Sequence, residues 1–257
     1  MTALLAASLA TLVFCAPGYP GAAGDAQPLV DDFATAVAAA AGWPAGSLAA
    51  VYDPTEEGGI KKLNGADAVL AFVPYPFFVE HAAQLHLTPL VQAVVADVGA
   101  QQRWTLVAKA GRVASPQSMA GYTVLSIAGY APDFVRHSAL EGWALPADVK
   151  IEPTGQILSA LRRASSGEPV AVLLDQTQAA ALPTLPFATE LNAVMRSSEL
   201  PVAMIVVVDS RVAAGRARAL QAALLKMGQV PGSADSLGPL RLRGFVLPKL
   251  PSPTAVR

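Results

Sequence analysis

The residue best placed for chemistry in this sequence is Asp175, because it directly follows the apolar run Val170–Leu174. In open α/β sheets, ligands collect beyond the carboxyl ends of the strands, so Asp175 and the nearby Gln178 are candidate ligand contacts. A carboxylate accepts hydrogen bonds from amines, hydroxyls and backbone N–H groups. The alternative role for Asp175 is to cap a helical segment predicted at residues 177–182. The sequence leaves both roles open.

A second candidate is the loop A-P-G-Y-P-G-A-A-G-D, which joins a predicted strand at residues 11–15 to a helix that runs to about residue 41. The free N–H groups at a helix start favour anions and polar groups, so Tyr19 and Gly21 are predicted to contact a ligand.

The same loop also suggests a nucleotide-dependent oxidoreductase, since Gly18, Gly21 and Gly24 lie between a strand and a helix and Asp53 ends the next strand. The spacing is G-x-x-G-x-x-G instead of the dinucleotide-binding G-x-G-x-x-G, and two prolines stiffen the loop. We therefore keep this function as an alternative only.

Other kinds of chemistry have little support. There is no G-x-S-x-G elbow and no H-E-x-x-H motif, and the three histidines, His81, His86 and His137, do not have metal-ligand spacing. The single cysteine, Cys15, cannot form an internal disulfide and is predicted to be a buried strand residue. A net charge of −1 without a basic cluster argues against nucleic acid. We expect no catalytic residue, no metal and no cofactor.

Two stretches with one pattern must position these residues. Residues 154–182 read as a helix with Ile157, Leu158, Leu161 and Ala164 on its apolar face, then a glycine turn, a buried strand and the polar tip at Asp175. Residues 55–78 repeat this order with little residue identity, and their strand ends on a predicted loop, P-Y-P-F. Two such units predict two similar lobes facing each other.

The whole chain is predicted to be an α/β protein. Predicted strands and helices alternate throughout, and 53% hydrophobic against 14% charged residues indicates a compact, well-packed chain. A second Gly-Tyr loop, S-I-A-G-Y, precedes a predicted helix at residues 132–140. Residues 1–8 are interpreted as the remnant of an export signal or as an added terminus.

The order of these motifs resembles type II periplasmic solute-binding proteins, especially the phosphate/phosphonate-binding group. The resemblance rests on the G-A-D-A-V-L strand, the Pro/aromatic loop, the R-W-T-L-V-A-K strand, the S-P-x-S-M-A-G-Y turn and S-x-A-G-Y at a helix start. Near the C-terminus, R-A-L-Q-A-A-L-L-K-M followed by L-R-G-F-V is also similar to that group.

The resemblance implies a two-lobed fold in which each lobe is a mixed sheet flanked by helices. It places lobe 1 at residues 1–103 plus 207–257 and lobe 2 at residues 104–206, with crossings near residues 103–105 and 200–203. A small polar or anionic ligand would be trapped between the lobes by hinge closure and passed to an ABC transporter permease. The protein would be a monomeric, non-enzymatic, periplasmic or extracellular binding protein. A periplasmic sensor domain is the further alternative.

By the same resemblance, the ligand would contact an aromatic residue of the first lobe and a helix start of the second. Tyr75 is expected opposite Asp175, and S-I-A-G-Y has fewer hydroxyl groups than the family's phosphate cradle. The residues implied are Tyr75 or Phe77, Ser126, Gly129, Tyr130, Thr154 and Asp175.

Overall fold

Two β-sheets connected by a short antiparallel ribbon organise the chain in the computed structural model, which describes residues 10–19, 23–229 and 233–251. The strands of the described residues are, in chain order, β1 Ala10–Cys15, β2 Leu48–Asp53, β3 Ala68–Pro74, β4 Leu87–Val95, β5 Gln101–Gln102, β6 Thr105–Lys109, β7 Thr123–Ser126, β8 Lys150–Pro153, β9 Val170–Leu174, β10 Leu191–Arg196, β11 Leu200–Pro201, β12 Ala203–Val208 and β13 Leu242–Val246.

Helices follow most of the parallel strands. They are α1 Ala23–Ala40, α2 Glu56–Leu63, α3 Tyr75–Leu85, α4 Pro132–Phe134 (continued by a π-helical turn, Val135–Ala139), α5 Ile157–Ser166, α6 Gln176–Ala181, α7 Ala214–Met227 and α8 Ser233–Leu237. Strands and helices thus alternate as the sequence predicts, and the α/β class is confirmed.

The six-stranded sheet has the order β13-β4-β12-β3-β1-β2, and the five-stranded sheet has the order β10-β6-β9-β7-β8. Each sheet is mixed: β1, β2 and β3 run parallel in one, and β7, β8 and β9 in the other. Below, each sheet with the helices packed on it is called a lobe, the large lobe and the small lobe respectively. The strand β12, which begins at Ala203, pairs in the large sheet. The lobe limits at 103/104 and 206/207 stay a prediction.

The ribbon that connects the lobes consists of β5 and β11, with Gln102 opposite Leu200. One apolar cluster extends from the large sheet, through Trp104 and Phe134, to the small sheet. The Trp104 and Phe134 rings lie 5.2 Å apart and nearly perpendicular. The lobes therefore share buried apolar surface beside the ribbon.

Two local predictions are wrong. The P-Y-P-F stretch is the first turn of α3, because Pro76 near the helix start needs no N–H donor and has a backbone angle that suits a helix. Leu158 is 46% exposed, and Ala160 takes the inward position in α5 instead. Residues 157 and 158 are consecutive, so they lie 100° apart around the helix and only one can face the core squarely.

The interpretation of residues 1–8 concerns a segment outside the described residues.

Val30, Phe33 and Val37 of α1 are buried as predicted, as are all five residues of β9. The apolar periodicity therefore predicts the core side of these elements correctly.

Candidate functional site

A cavity of about 850 Å³ lies between the lobes, at the carboxyl ends of parallel strands from both sheets. Its volume is within the range of small-molecule sites. It is lined by Gly18, Tyr19, Pro54, Val95, Ala96, Val98, Gln102, Ile127, Gly155, Ile157, Leu158, Asp175, Thr177, Gln178, Val202, Leu240 and Arg241.

Asp175 lies in this cavity and also caps α6. Its Oδ1 accepts a hydrogen bond of 2.8 Å from the backbone N–H of Gln178, while Gln178 Oε1 accepts one of 3.1 Å from the backbone N–H of Asp175. The residue is only 8% exposed, and burial raises the pKa of its carboxyl group above the ordinary value. Within the described part of the chain, no Lys, Arg or His forms an ion pair with it. The cap is confirmed, and the ligand contact stays a prediction.

Tyr19 contributes to the cavity from the large lobe. Its side chain is 37% exposed, yet its pKa is raised, first because the hydroxyl group is surrounded by protein and second because of the negative charge of Asp175. Tyr19 and Asp175 therefore lie near each other across the cleft, whereas the sequence predicts Tyr75 opposite Asp175. Gly21, the other candidate of this loop, lies outside the described residues.

The lobes come into direct contact beside Tyr19. Gly18 has a φ of +82°, and a Cβ atom added there would lie 2.4 Å from the carbonyl oxygen of Ile127 in the small lobe. A side chain at position 18 would therefore meet backbone of the opposite lobe.

The two aromatic candidates of α3 do not line the cavity. Tyr75 is buried against Phe78 and Phe134, with ring centroids 6.3 and 6.0 Å away. Phe77 is fully buried and packs on His81, with centroids 4.7 Å apart. The structure thus places Tyr75 in the contact between the lobes and Phe77 in the core, and it does not bring them together with Asp175.

The candidates after β7 support the backbone around the cavity. The Ser126 hydroxyl is buried, donates to the carbonyl of Leu173 at 2.8 Å and accepts from the N–H of Ala128 at 3.1 Å. Gly129 lies against the backbone of Glu152. Neither residue lines the cavity.

Thr154 holds the segment that leads into α5. Its N–H donates to the carbonyl of Ser126 at 2.8 Å, and its hydroxyl accepts from the N–H of Gln156 at 3.1 Å. Thr154 itself is outside the cavity lining, whereas Gly155, Ile157 and Leu158 are part of it.

Tyr130 lies deeper between the lobes. Its hydroxyl is buried and has no hydrogen-bond partner among the described residues. Burial raises its pKa well above the ordinary value, and the charges of Tyr19, Cys15, Glu56 and Glu80 raise it further. All the acidic groups that act on it belong to the large lobe, whereas Tyr130 belongs to the small lobe.

Sequence reasoning missed the residues that the ribbon and the sheet edges contribute. Gln102 belongs to the ribbon strand β5, Val202 directly follows β11, and Arg241 precedes β13. No motif marks Gln102, since its position follows from the pairing of two strands 98 residues apart in the chain. Leu158 could have been predicted, because Ile157 and Leu158 are consecutive large apolar residues and one helix face cannot bury both. One of the two therefore had to lie outside the core.

The dinucleotide alternative is not supported by the local geometry. Asp53 Oδ1 accepts from the N–H and the hydroxyl of Thr55 at 2.9 and 2.7 Å, and Oδ2 pairs with Lys62. The carboxylate that would bind a ribose is therefore already occupied. These hydrogen bonds and Lys62 also hold the pKa of Asp53 below its ordinary value, against the effect of burial.

Within residues 10–19, 23–229 and 233–251, no three His, Cys, Asp or Glu side chains come together as metal ligands would. The helices of the same ranges include none that is long and apolar enough to cross a membrane.

Comparison with solved structures identifies the fold. The chain is similar to XAC2383 from Xanthomonas citri bound to ATP, with 14% identity, a TM-score of 0.67 and coverage of 95% of this chain and 92% of that one. It is also similar to PhnD1 from Prochlorococcus marinus in complex with methylphosphonate, with 12% identity, a TM-score of 0.57 and coverage of 94% and 93%. The chain has a type II periplasmic-binding-protein fold. The two-lobed architecture expected from the resemblance is thereby confirmed.

A third similar structure is the binding-protein component of an ABC phosphonate transporter from Pseudomonas aeruginosa. The identity is 14% and the TM-score 0.55, with coverage of 92% of this chain and 81% of that one. No protein-family model and no curated protein matches the sequence. Since all these identities are low, the likeness extends to the fold and not to the ligand.

Proposed function

We propose that this chain is a monomeric, non-enzymatic solute-binding protein that traps a small polar or anionic ligand between its lobes and delivers it to an ABC transporter permease in the periplasm. One observation carries the proposal: the cavity lies where the strand ends of both sheets meet, and each lobe contributes a polar side chain to it, Tyr19 and Asp175. The phosphonate-binding group is the finer family assignment that the fold and the motif order support.

Hinge closure is the mechanism that fits this geometry. The lobes are connected by the short ribbon β5–β11, and a ligand that contacts both of them stabilises the closed state more than the open state. Contacts between the lobes, Gly18 on Ile127 and Tyr75 on Phe134, mark surfaces that separate when the cleft opens.

A polar contact also crosses between the lobes. Glu80 of α3 accepts a hydrogen bond of 3.0 Å from the N–H of Asp133, at the start of α4. A carboxylate at a helix start is favoured by the unpaired N–H groups there. This contact adds to the stability of the closed state.

The first experiment is native mass spectrometry of the freshly purified protein, which weighs any co-purified small molecule. The molecule is then removed and added back in a thermal-shift assay and in small-angle scattering. We expect a higher melting temperature and a smaller radius of gyration. A protein that carries no molecule and that does not contract with any periplasmic extract would refute the proposed function.

Asp175→Ala tests the predicted contact. The variant loses a cap worth about 1 kcal/mol and should also lose the ligand-induced shift in melting temperature. Thr55→Ala is the matched control, because Thr55 caps α2 by accepting from the Gly58 N–H at 3.1 Å and does not line the cavity. A full ligand-induced shift in Asp175→Ala would exclude Asp175 as a ligand contact.

A further inference from the structure

The cavity contains a buried hydrogen-bond donor that no described residue satisfies. Gln102 is 4% exposed and lines the cavity, and its amide Nε2 has no partner in residues 10–19, 23–229 and 233–251. Buried amide groups are nearly always hydrogen-bonded, because an unmet donor costs free energy. Nε2 itself has almost no accessible surface, so a ligand that presents an acceptor oxygen would satisfy it once the Gln102 side chain turns toward the cavity.

Gln102 is also distinguished by its position. It belongs to β5, one of the two strands of the ribbon between the lobes, where it pairs with Leu200. A ligand that accepts from Gln102 therefore contacts the hinge itself as well as the lobes.

Much of the cavity wall is apolar. Ile127, Ile157 and Leu158 contribute from the small lobe, and Val98 and Val202 lie on the side of the ribbon. Leu158 is 46% exposed and lines the cavity, so its apolar surface is available to a ligand. A ligand with apolar surface would cover it.

The charges in the lining favour a cation over a free oxyanion. Among the lining residues that the structure describes, Asp175 is the acidic one and has no ion-pair partner. Arg241 is the cationic one, and it is paired with Asp97 at 3.2 Å. A buried carboxylate is stabilised by a positive charge and opposes a second negative one.

We infer that the ligand of this cavity is an amphiphilic amine with an acceptor oxygen: its ammonium group binds Asp175, its oxygen accepts from Gln102 Nε2, and its apolar body packs on Leu158. This inference rests on the proposed function and deepens it. It assigns to the hinge residue Gln102 a direct role in ligand specificity.

The test uses isothermal titration calorimetry with small probes that differ by one group. Phenylalaninamide carries the amine, the apolar body and the acceptor oxygen. The probe 2-phenylethylamine lacks the oxygen, and 3-phenylpropanamide lacks the amine. Inorganic phosphate and methylphosphonate represent oxyanions. We expect phenylalaninamide to bind at least tenfold more tightly than each of the others.

Gln102→Leu should lower the affinity for phenylalaninamide about tenfold, the typical effect of one buried hydrogen bond. The affinity for 2-phenylethylamine should stay within about twofold of the parent value. Gln102→Met has a side chain of similar length without the amide N–H and without a charge, and it serves if the leucine variant does not fold. Gln101→Leu is the matched control, because Gln101 is the neighbouring residue of β5 and does not line the cavity. It should change neither affinity.

Three results would overturn the inference. The first is tighter binding of phosphate or methylphosphonate than of phenylalaninamide, and the second is no binding of phenylalaninamide. The third is an equal loss of affinity for phenylalaninamide and 2-phenylethylamine in Gln102→Leu. In each case a co-purified molecule that contracts the protein in scattering would leave the proposed function intact. The failure of the ligand class is thus distinct from the failure of the binding function.

Discussion

Gly18→Ala should hold the lobes apart, because position 18 is where the large lobe contacts the backbone of the small lobe. An alanine Cβ would lie 2.4 Å from the Ile127 carbonyl oxygen, about 1 Å short of ordinary contact, which begins at 3.4 Å. The obstacle is backbone and cannot rotate away. Because the two atoms belong to different lobes, opening the cleft relieves the clash.

The free-energy cost of Gly18→Ala has two parts. Alanine at a φ of +82° costs about 1 kcal/mol in any state of the cleft. The clash costs the closed state a further amount of about 1–3 kcal/mol, in the range of overpacked sites, which weakens ligand binding about 5- to 150-fold. Gly42→Ala isolates the first part, because Gly42 has a φ of +67° and no atom within 4 Å of an added Cβ.

Urea unfolding should show a similar loss of stability for the two variants. Small-angle scattering should show a larger radius of gyration for Gly18→Ala alone, and calorimetry should show weaker binding of the co-purified ligand for Gly18→Ala alone. If Gly18→Ala and Gly42→Ala have the same radius of gyration and the same affinity as each other, the contact between Gly18 and Ile127 does not limit closure and the reasoning is refuted.

Two further predictions concern pH. Burial raises the pKa of Asp175 above its ordinary value of 3.8, so affinity for phenylalaninamide should fall as pH drops through the raised pKa and the carboxylate is protonated. Asp175→Asn should bind phenylalaninamide weakly, and its affinity should not depend on pH in this way. An unchanged affinity of the parent protein from pH 7 to pH 4 would contradict the prediction. Burial also raises the pKa of Glu80 above 4.5, so between pH 4.5 and the raised pKa the folded state binds more protons than the unfolded state, and the contribution of Glu80 to stability falls as pH rises through the raised pKa. In Glu80→Gln, the urea midpoint should therefore fall less steeply from pH 4 to pH 7 than in the parent protein. An identical pH dependence in the two proteins would show that Glu80 is solvated as in the unfolded chain.

The fold could be predicted because its signals are local. The run Val170–Leu174 is apolar at every position and too short for an independent helix, which favours a strand covered on both faces, and Val30, Phe33 and Val37 recur at helical period. The wrong prediction at Tyr75 has the same local origin. Proline interrupts a helix in its interior but favours its first turn, and the P-Y-P-F pattern alone does not distinguish these positions.

The site could be predicted only where a strand end carries its own polar residue. Asp175 directly follows β9 and satisfies that condition, Tyr19 lies in the loop after β1, and both line the cavity. Gln102 does not, because it reaches the cavity through the pairing of two-residue strands that are far apart in the chain. Phe77 shows the opposite error: it follows a strand end, but the turn of α3 directs it into the core.

The two roles that the sequence left open for Asp175 are compatible in the structure. An ionised carboxylate has about four acceptor positions, and the backbone N–H groups of Gln178 and Thr177 occupy two of them. The remaining positions can accept from a ligand without breaking the cap. The cap moreover fixes the orientation of the carboxylate before a ligand arrives, which lowers the entropy that binding would otherwise lose. A capping residue at a strand end is therefore a better ligand contact than an uncapped one, because its hydrogen bonds hold a buried charge in place.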